Sequence, residues 1–368
     1  MDAFQSEKYV INMGPQHPSV HGGMHLETLM DGEIVEEINL HLGYDHRSVE
    51  KIAESRTYLQ FIPYTARLDY LSSFLPTTGY CGAVEKLMNI EVPERAEYIR
   101  VIMGELNRIT GHLMFVGTFC NDLGATTVLA YCIREREKIM KMMEMTGGQR
   151  MISSYCRIGG VSDDLPPEFF PALEAFLDAV PNTIDELNNV AVGNEILQAR
   201  LKNVGLISKE DAIAWSLGGP NLRACGVNYD IRKVEPYSVY DRFEFDVPTA
   251  DYGDCWNRFL LRIQEIEQSA RIIRQALEGL PEGDFRAKVP RVLKPAKGAE
   301  VYHRIEGAKG ELGFYLLSDG TEKPQRMHVR APSFINLMVL PVISRGAKFQ
   351  DVICNIATLD PVLGECDR

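Results

Sequence analysis

Apolar and polar residues alternate from Tyr9 to Leu42, most clearly in "MHLETLMDGEIVEEINLHLG". Period-two alternation marks strands with one buried face, and Asp31-Gly32 between two such runs is a hairpin signal. The pattern predicts a small antiparallel sheet. From about Arg47 to Met151 the period becomes helical, punctuated by Pro63, Pro76 and Pro93. Pro93-Glu94 reads as a helix start with acid in the first turn. The run "AEYIRVIMGELNRITGHLMFVGTFC" is apolar on more than one face, as in a helix buried between others. "LAYCIREREKIMKMMEMTGG" ends on two glycines suited to a C-cap. "DDLPPEFF" breaks the pattern before a helix predicted to about Leu201, and Ser208 caps a short helix ending at Gly218. "YSVYDRFEFDVPTADYGD" reads as strand, then loop. The next helix, from about Cys255 to Leu280, carries the dense charge of a partly exposed face. "VYHRIEG", "GELGFYLLSDG" and "QRMHVRAP" predict strands in the tail.

These elements give an α+β class, a helical bundle flanked by small N-terminal and C-terminal β-sheets. Residues 1–46 form the N-terminal sheet with its Gly-Pro loop, 47–290 the bundle, and 291–368 a β-rich region with the terminal segment. No interior linker, repeat or low-complexity run separates them, so the chain reads as one compact unit.

Acidic residues outnumber basic ones, 51 to 39. That balance argues against nucleic acid and against docking on anionic lipid by charge alone. No run approaches a membrane span, and the N-terminus lacks a basic-then-apolar signal peptide. The expected location is cytoplasmic, or peripheral on the cytoplasmic side of a membrane. None of the eight cysteines forms a Cys-x-x-Cys. They read as free thiols, mostly in the core, and do not indicate zinc or an iron–sulfur cluster.

"GPQHPSVHGG" places His17 and His21 four apart. On a helix that spacing would suit a metal, but Gly14, Pro15, Pro18, Gly22 and Gly23 oppose a helix, and no Glu follows the first His. Two readings remain: turn histidines satisfied by backbone, or a titrating His at a loop tip facing a cavity. In "RLDYLSSF", Tyr70 lies beside Asp69 and needs a partner for its hydroxyl if buried. Asp122 falls in a near-apolar helix, where a buried carboxylate requires a cation or donor, a loop His⁺ among the candidates. Arg47 and Arg67 suit a carboxylate or an anionic cofactor.

"GPQHPSVHG", "HRSVEK", "LDYLSSF", "AVEKLMNIEVPERAEYIRVIMGELNRITGHL", "DIRKVEPY", "YDRFEFDVP", "GDCWNR", "GELGFYLLSDG" and "DPVLGECDR", in this order, resemble the quinone-site core-subunit family of respiratory complex I over nearly the whole chain. The resemblance implies a fold like the nickel–iron hydrogenase large subunit. In that ancestor four cysteines hold nickel. Here their positions are Asp69, Ser72, Val362 and Glu365, and Cys366 is one out of register. Without soft thiolates, nickel chemistry is implausible, and no metal bound by this chain is expected.

The resemblance implies that His21 and Tyr70 bind and protonate the quinone carbonyls, that Asp122 partners His21, and that His17 shapes the loop. It places Arg47 and Arg67 near a 4Fe–4S cluster held by a neighbouring subunit. It further implies an ion-translocating assembly with four kinds of partner. These are the small cluster-carrying B-type subunit, the C-type partner, the two-cluster ferredoxin-like I-type subunit and the H-type membrane subunit that completes a quinone tunnel. The donor is open among NADH, F-420H2 and ferredoxin. Ile152 stands where the family often has a His that titrates with the cluster. This departure predicts a lower-potential cluster, suited to menaquinone or methanophenazine rather than ubiquinone. Ser48 replaces a usual Gly or Ala. The rivals are a membrane-bound nickel–iron hydrogenase subunit and a scaffold that has lost its site.

Overall fold

The structure is a computed structural model and describes residues 8–20 and 22–368. The N-terminal sheet has the order β1-β2-β3, with β1 Lys8–Met13, β2 His25–Asp31 and β3 Ile34–His41, all antiparallel. Leu26, Thr28 and Met30 alternate inward from β2, as the sequence pattern requires. Gly32 takes a positive φ in the β2–β3 turn.

The bundle begins with α1 (Val49–Ser55), α2 (Tyr58–Thr65) and α3 (Phe74–Met88). Thr57 and Gln60 close a capping box on α2. Pro63 does not break the helix but lies near the end of α2, and Pro76 sits in the first turn of α3, where its missing N–H costs nothing. α4 (Glu94–Asp122) is buried nearly all round and packs between α5 (Thr126–Gly147) and α11. Gly148 caps α5 in the left-handed region.

A ribbon of β4 (Cys156–Arg157) and β5 (Gly160–Val161) precedes α6 (Phe169–Leu187). The helix expected to reach Leu201 instead ends in a π-turn, and Asn194 caps the separate α7 (Glu195–Leu201). Ser208 caps α8 (Lys209–Ala214), followed by α9 (Gly219–Arg223) and α10 (Ile231–Val234).

Residues 237–254 form a 3-10 turn and extended chain, not the expected strand. Val239, Phe243 and Phe245 are buried, which explains the alternation. No neighbouring strand supplies a ladder among the described residues. Instead, the Glu244 and Asp246 amides donate to the side chains of Gln275 and Gln268 on α11 (Cys255–Glu278). That helix has the expected partly exposed face, with Glu267, Arg271 and Arg274 on it, while Arg258, Arg262 and Glu265 are buried.

The C-terminal sheet is β6 (Glu300–Gly307), β7 (Gly310–Ser318) and β8 (Pro324–Arg330), an antiparallel meander. Four helices finish the chain: α12 (Pro332–Leu337), α13 (Leu340–Ser344), α14 (Phe349–Leu359) and α15 (Leu363–Cys366). A second apolar core joins Met24, Leu26 and Met30 of the N-terminal region to Ile356, Leu359 and Leu363. It therefore brings the N-terminal sheet and the C-terminal helices together, and the site forms at that junction. All eight cysteines are buried and free. No described helix is long and apolar enough to cross a membrane.

Candidate functional site

Four segments meet at the junction. The first is the Gly14–Gly23 loop, whose only helical piece among the described residues is a 3-10 turn at Pro18–Val20. Gly14 has φ +96°, and a Cβ there would fall 2.0 Å from the Met24 carbonyl oxygen, so the loop closes on itself only with glycine. The second is the Tyr44–Arg47 stretch after β3. The third is the Arg67–Tyr70 turn between α2 and α3. The fourth is α15 with the terminal residues.

Asp367 ties the fourth to the second, its carboxylate accepting from the amides of Gly43 (2.9 Å) and Asp45 (2.8 Å). Gly364 lies flat on the third. A Cβ on it would come 2.7 Å from the Leu68 carbonyl oxygen and 3.2 Å from the Tyr70 ring.

Between these segments lies a cavity of about 330 Å³ lined by Tyr44, Asp45, His46, Arg47, Tyr70 and Gly364. Tyr44 and Asp45 also wall a cavity of about 680 Å³ lined by Pro15, Gln16, His17, Pro18, Gly22 and Gly23. The two share the Tyr44–Asp45 wall of one cleft region, and each is of a size suited to a small organic ligand. Tyr70 is half-buried, and its hydroxyl has no hydrogen-bond partner among the described residues. Burial, then the negative charges of Asp69 and Asp45, push the phenol up to about 12, with Arg47 opposing. Tyr70 is therefore a protonated donor at neutral pH.

The other expected residues are placed as follows. His17 is exposed on the cleft wall, its Nδ1 accepting from the Ser19 amide. His21 lies outside the described residues. Asp122 ends α4 and is half-buried rather than enclosed, because the helix stops there. It does not line the cleft among the described residues. Arg47 and Arg67 are adjacent and exposed, with Arg47 Nη2 donating to the Arg67 carbonyl at 3.0 Å. Neither makes an ion pair among the described residues. Ile152 is half-buried, and its neighbour Met151 accepts from Ser73 at the start of α3. Ser48 has φ 53°, a left-handed conformation that glycine adopts freely and other residues rarely do.

Sequence reasoning passed over what lies beneath Tyr70. Asp69 is buried, its Oδ1 accepting from the amides of Leu71 (3.1 Å) and Ser72 (3.0 Å). Glu365 is buried and accepts from the amide and hydroxyl of Ser333. Lys309 at the β6–β7 hairpin tip is only 1% exposed and pairs with Asp360, which Arg262 also meets at 3.4 Å. A lysine in a two-residue hairpin turn normally reads as solvated. Only its place between small residues, "GAKGE", hinted at close packing. Among the described residues no group of three or more His, Cys, Asp or Glu could hold a metal.

Residues 122–299 and 293–368 match the family described as respiratory-chain NADH dehydrogenase, 49 Kd subunit. The chain is 53% identical over 367 residues to the D subunit of NADH-quinone oxidoreductase from Dehalococcoides mccartyi, covering all of both chains. It is 52% identical over 363 residues to the protein of that name from Clostridium beijerinckii, covering 99% of this chain and 98% of the relative. A counterpart of the same name from Rhizobium meliloti, numbered 2, is 45% identical, covering all of this chain and 97% of its own.

Proposed function

Because the chain belongs to the respiratory-chain NADH dehydrogenase 49 Kd subunit family, and so is a subunit of an NADH:quinone oxidoreductase-type complex, we propose that its cleft is where the quinone head-group is reduced. The observation that carries this reading is the Tyr70 hydroxyl, protonated, unpartnered among the described residues and set in a cavity walled by Tyr44, His46 and Arg47, with the Pro15–Pro18 cavity against the same Tyr44.

A bound quinone supplies two carbonyl acceptors and takes up two electrons and two protons. Tyr70 donates to one carbonyl oxygen and gives up its proton as negative charge develops there. His21 serves the other carbonyl, with Asp122 as its partner, and His17 shapes the wall. Arg47 and Arg67, exposed and without an ion pair among the described residues, face the 4Fe–4S cluster of a neighbouring B-type subunit. C-type, I-type and membrane H-type subunits complete the assembly and hold this chain at the cytoplasmic face of the membrane.

The relatives' names support NADH and a quinone over F-420H2, ferredoxin and methanophenazine. Ile152 supplies no titrating group beside the Met151–Ser73 contact, which favours a low-potential acceptor such as menaquinone. Descent from a hydrogenase-like large subunit is supported by the packing of Gly364 on Arg67, Leu68 and Tyr70, which brings together the segments carrying Val362 and Glu365 and carrying Asp69, three of the four positions where that ancestor has cysteines.

Tyr70→Phe in the assembled complex tests the reading. Quinone reduction is expected to fall by roughly 10²-fold while cluster reduction by the donor persists. Unchanged turnover would leave the cleft a scaffold.

A further inference from the structure

Asp69 and Glu365 are the buried acids nearest in sequence to the two sides of the cleft floor, one preceding Tyr70 and the other following Gly364. Asp69 is 3% exposed and Glu365 1%. Neither has an ion pair among the described residues. Their partners are two backbone amides for Asp69 and the amide and hydroxyl of Ser333 for Glu365. The cation behind them, Lys309, is paired with Asp360, which Arg262 also meets at 3.4 Å. Two unpaired carboxylates cannot both stay ionised in such a place, since burial penalises each charge and each charge penalises the other. Ser72, whose amide caps Asp69, has a buried hydroxyl that also lacks a partner among the described residues.

We propose that Asp69 and Glu365 share a proton and form the relay that restores the proton of Tyr70 after each reduction. The proposal rests on the quinone-reduction reading above. The acids act through Tyr70 and do not touch the quinone.

The proton count closes. The Tyr70 O–H bond breaks as an O–H bond forms on a quinone oxygen, whose ring has received two electrons from the iron–sulfur carriers of the assembly. The phenolate then takes the proton held by the acid pair. The pair is left with one more negative charge, and water entering the cleft neutralises it by returning a proton.

Burial, then the negative charge of Asp69, pushes Glu365 up to about 8, with the Ser333 donors and Lys309 opposing. Burial also raises Asp69, against Lys309 and the Ser72 amide and with Asp360 reinforcing. The phenol of Tyr70, at about 12, is a stronger base once ionised than Glu365 at about 8, so transfer toward it is downhill. Asp45, Arg47 and Cys366 face Tyr70 from the other walls, and burial keeps Cys366 a thiol. Asp367 and Arg368 beyond it are committed to the Gly43 and Asp45 amides and to Glu50.

The test is the pH profile of quinone reduction by the assembled complex, wild type against Glu365→Gln. Wild-type kcat is expected to fall as pH rises through about 8, where the pair empties. Glu365→Gln, isosteric and without an acidic proton, should lower kcat by roughly 10²-fold and erase that limb while leaving KM unchanged. Wild-type kcat and an intact alkaline limb in Glu365→Gln, with Tyr70→Phe inactive, would overturn the relay alone. A fully active Tyr70→Phe would overturn the underlying reading. Should Glu365→Gln fail to assemble, infrared difference spectra of the wild-type complex decide. A protonated carboxyl band that disappears around the same pH supports the relay, and its absence on both sides of that pH overturns it.

Discussion

Glu105, deep in the bundle, accepts from Arg108, Arg232, Tyr240 and Ser269, whereas Asp69 and Glu365 beneath Tyr70 accept only from backbone amides and one serine. Both regions are buried and acidic, yet they behave oppositely. Burial alone would raise the Glu105 carboxyl, but the two guanidiniums reverse that and hold it at about 2. Asp230 is held at about 2 in the same way by Arg232 and Arg223. Arg223 in turn bonds Glu265 (2.6 Å) and Glu306 (2.8 Å). In this network the charges are fixed and serve to join α4, α9, α10, α11 and β6. Under the cleft Lys309 is paired with Asp360 rather than with either acid, so the acids are left to titrate. Burial therefore does not distinguish a structural carboxylate from a working one. The supply of cations does.

Breaking the compensated region should have the largest effect. Arg232→Met removes the guanidinium shared by Glu105 and Asp230, leaving them only Arg108 and Arg223, and should cost about 3–5 kcal/mol, read as a fall in the thermal midpoint of the complex. A loss below about 1 kcal/mol would mean that the network is not what ties the helices together.

Gly364→Ala attacks the second region through its packing. The added methyl meets the Leu68 and Arg67 carbonyl oxygens at under 3 Å, and about 1–3 kcal/mol of destabilisation is expected. Quinone reduction should suffer more than stability does, because the displaced segment is the cleft floor. The measurement is turnover compared with thermal midpoint for the same preparation.

The pH dependence of stability sharpens the contrast. Glu365 keeps its proton in the folded chain between its ordinary 4.5 and about 8, where the unfolded chain has lost it. Stability should therefore fall as pH rises across that window, by roughly 1.4 kcal/mol per unit for the one proton. Glu365→Gln should flatten the slope. Glu105 and Asp230 carry the opposite sign, their contribution being present above the ordinary carboxylate range and lost only as pH falls toward about 2.

The smallest effect is expected from Ser48→Gly, which relieves a left-handed serine at the head of α1 and should shift stability by no more than about 1 kcal/mol in either direction. Its measured value gives the scale of a change in the cleft wall that leaves both ionic regions intact.

Much of this architecture was legible in the sequence because single helices and hairpins declare themselves locally. α4 announced its burial by being apolar all round, and the Asp31-Gly32 and Ala308-Lys309 turns separated alternating runs. What stayed hidden depended on partners distant in sequence. The 237–247 stretch alternates like a strand, but strand pairing is decided by a neighbour that is not there among the described residues. The charge pattern of α11 announced its partly exposed face but not that Arg258, Arg262 and Glu265, spaced by four and three on one helix face beside Phe259 and Ile266, are buried. Charges on the apolar face were the available signal that these were buried pairs. In the site, Tyr70, His17, Arg47 and Arg67 were found by resemblance, and the structure brings them to one cleft or its rim. Asp69 and Glu365 were noticed only as absent thiolates. Their chemistry follows from Lys309 being paired with Asp360, which no spacing could reveal.

The most direct test of the central claim, that the four segments at the junction of the N-terminal sheet and the C-terminal helices receive the quinone, is photolabelling of the assembled complex with an azido-quinone followed by peptide mapping. The account predicts label on peptides containing 15–23, 44–47, 67–70 or 363–367, suppressed by excess unmodified quinone. Competable label confined to other parts of this chain, or to other subunits with none here, would contradict it.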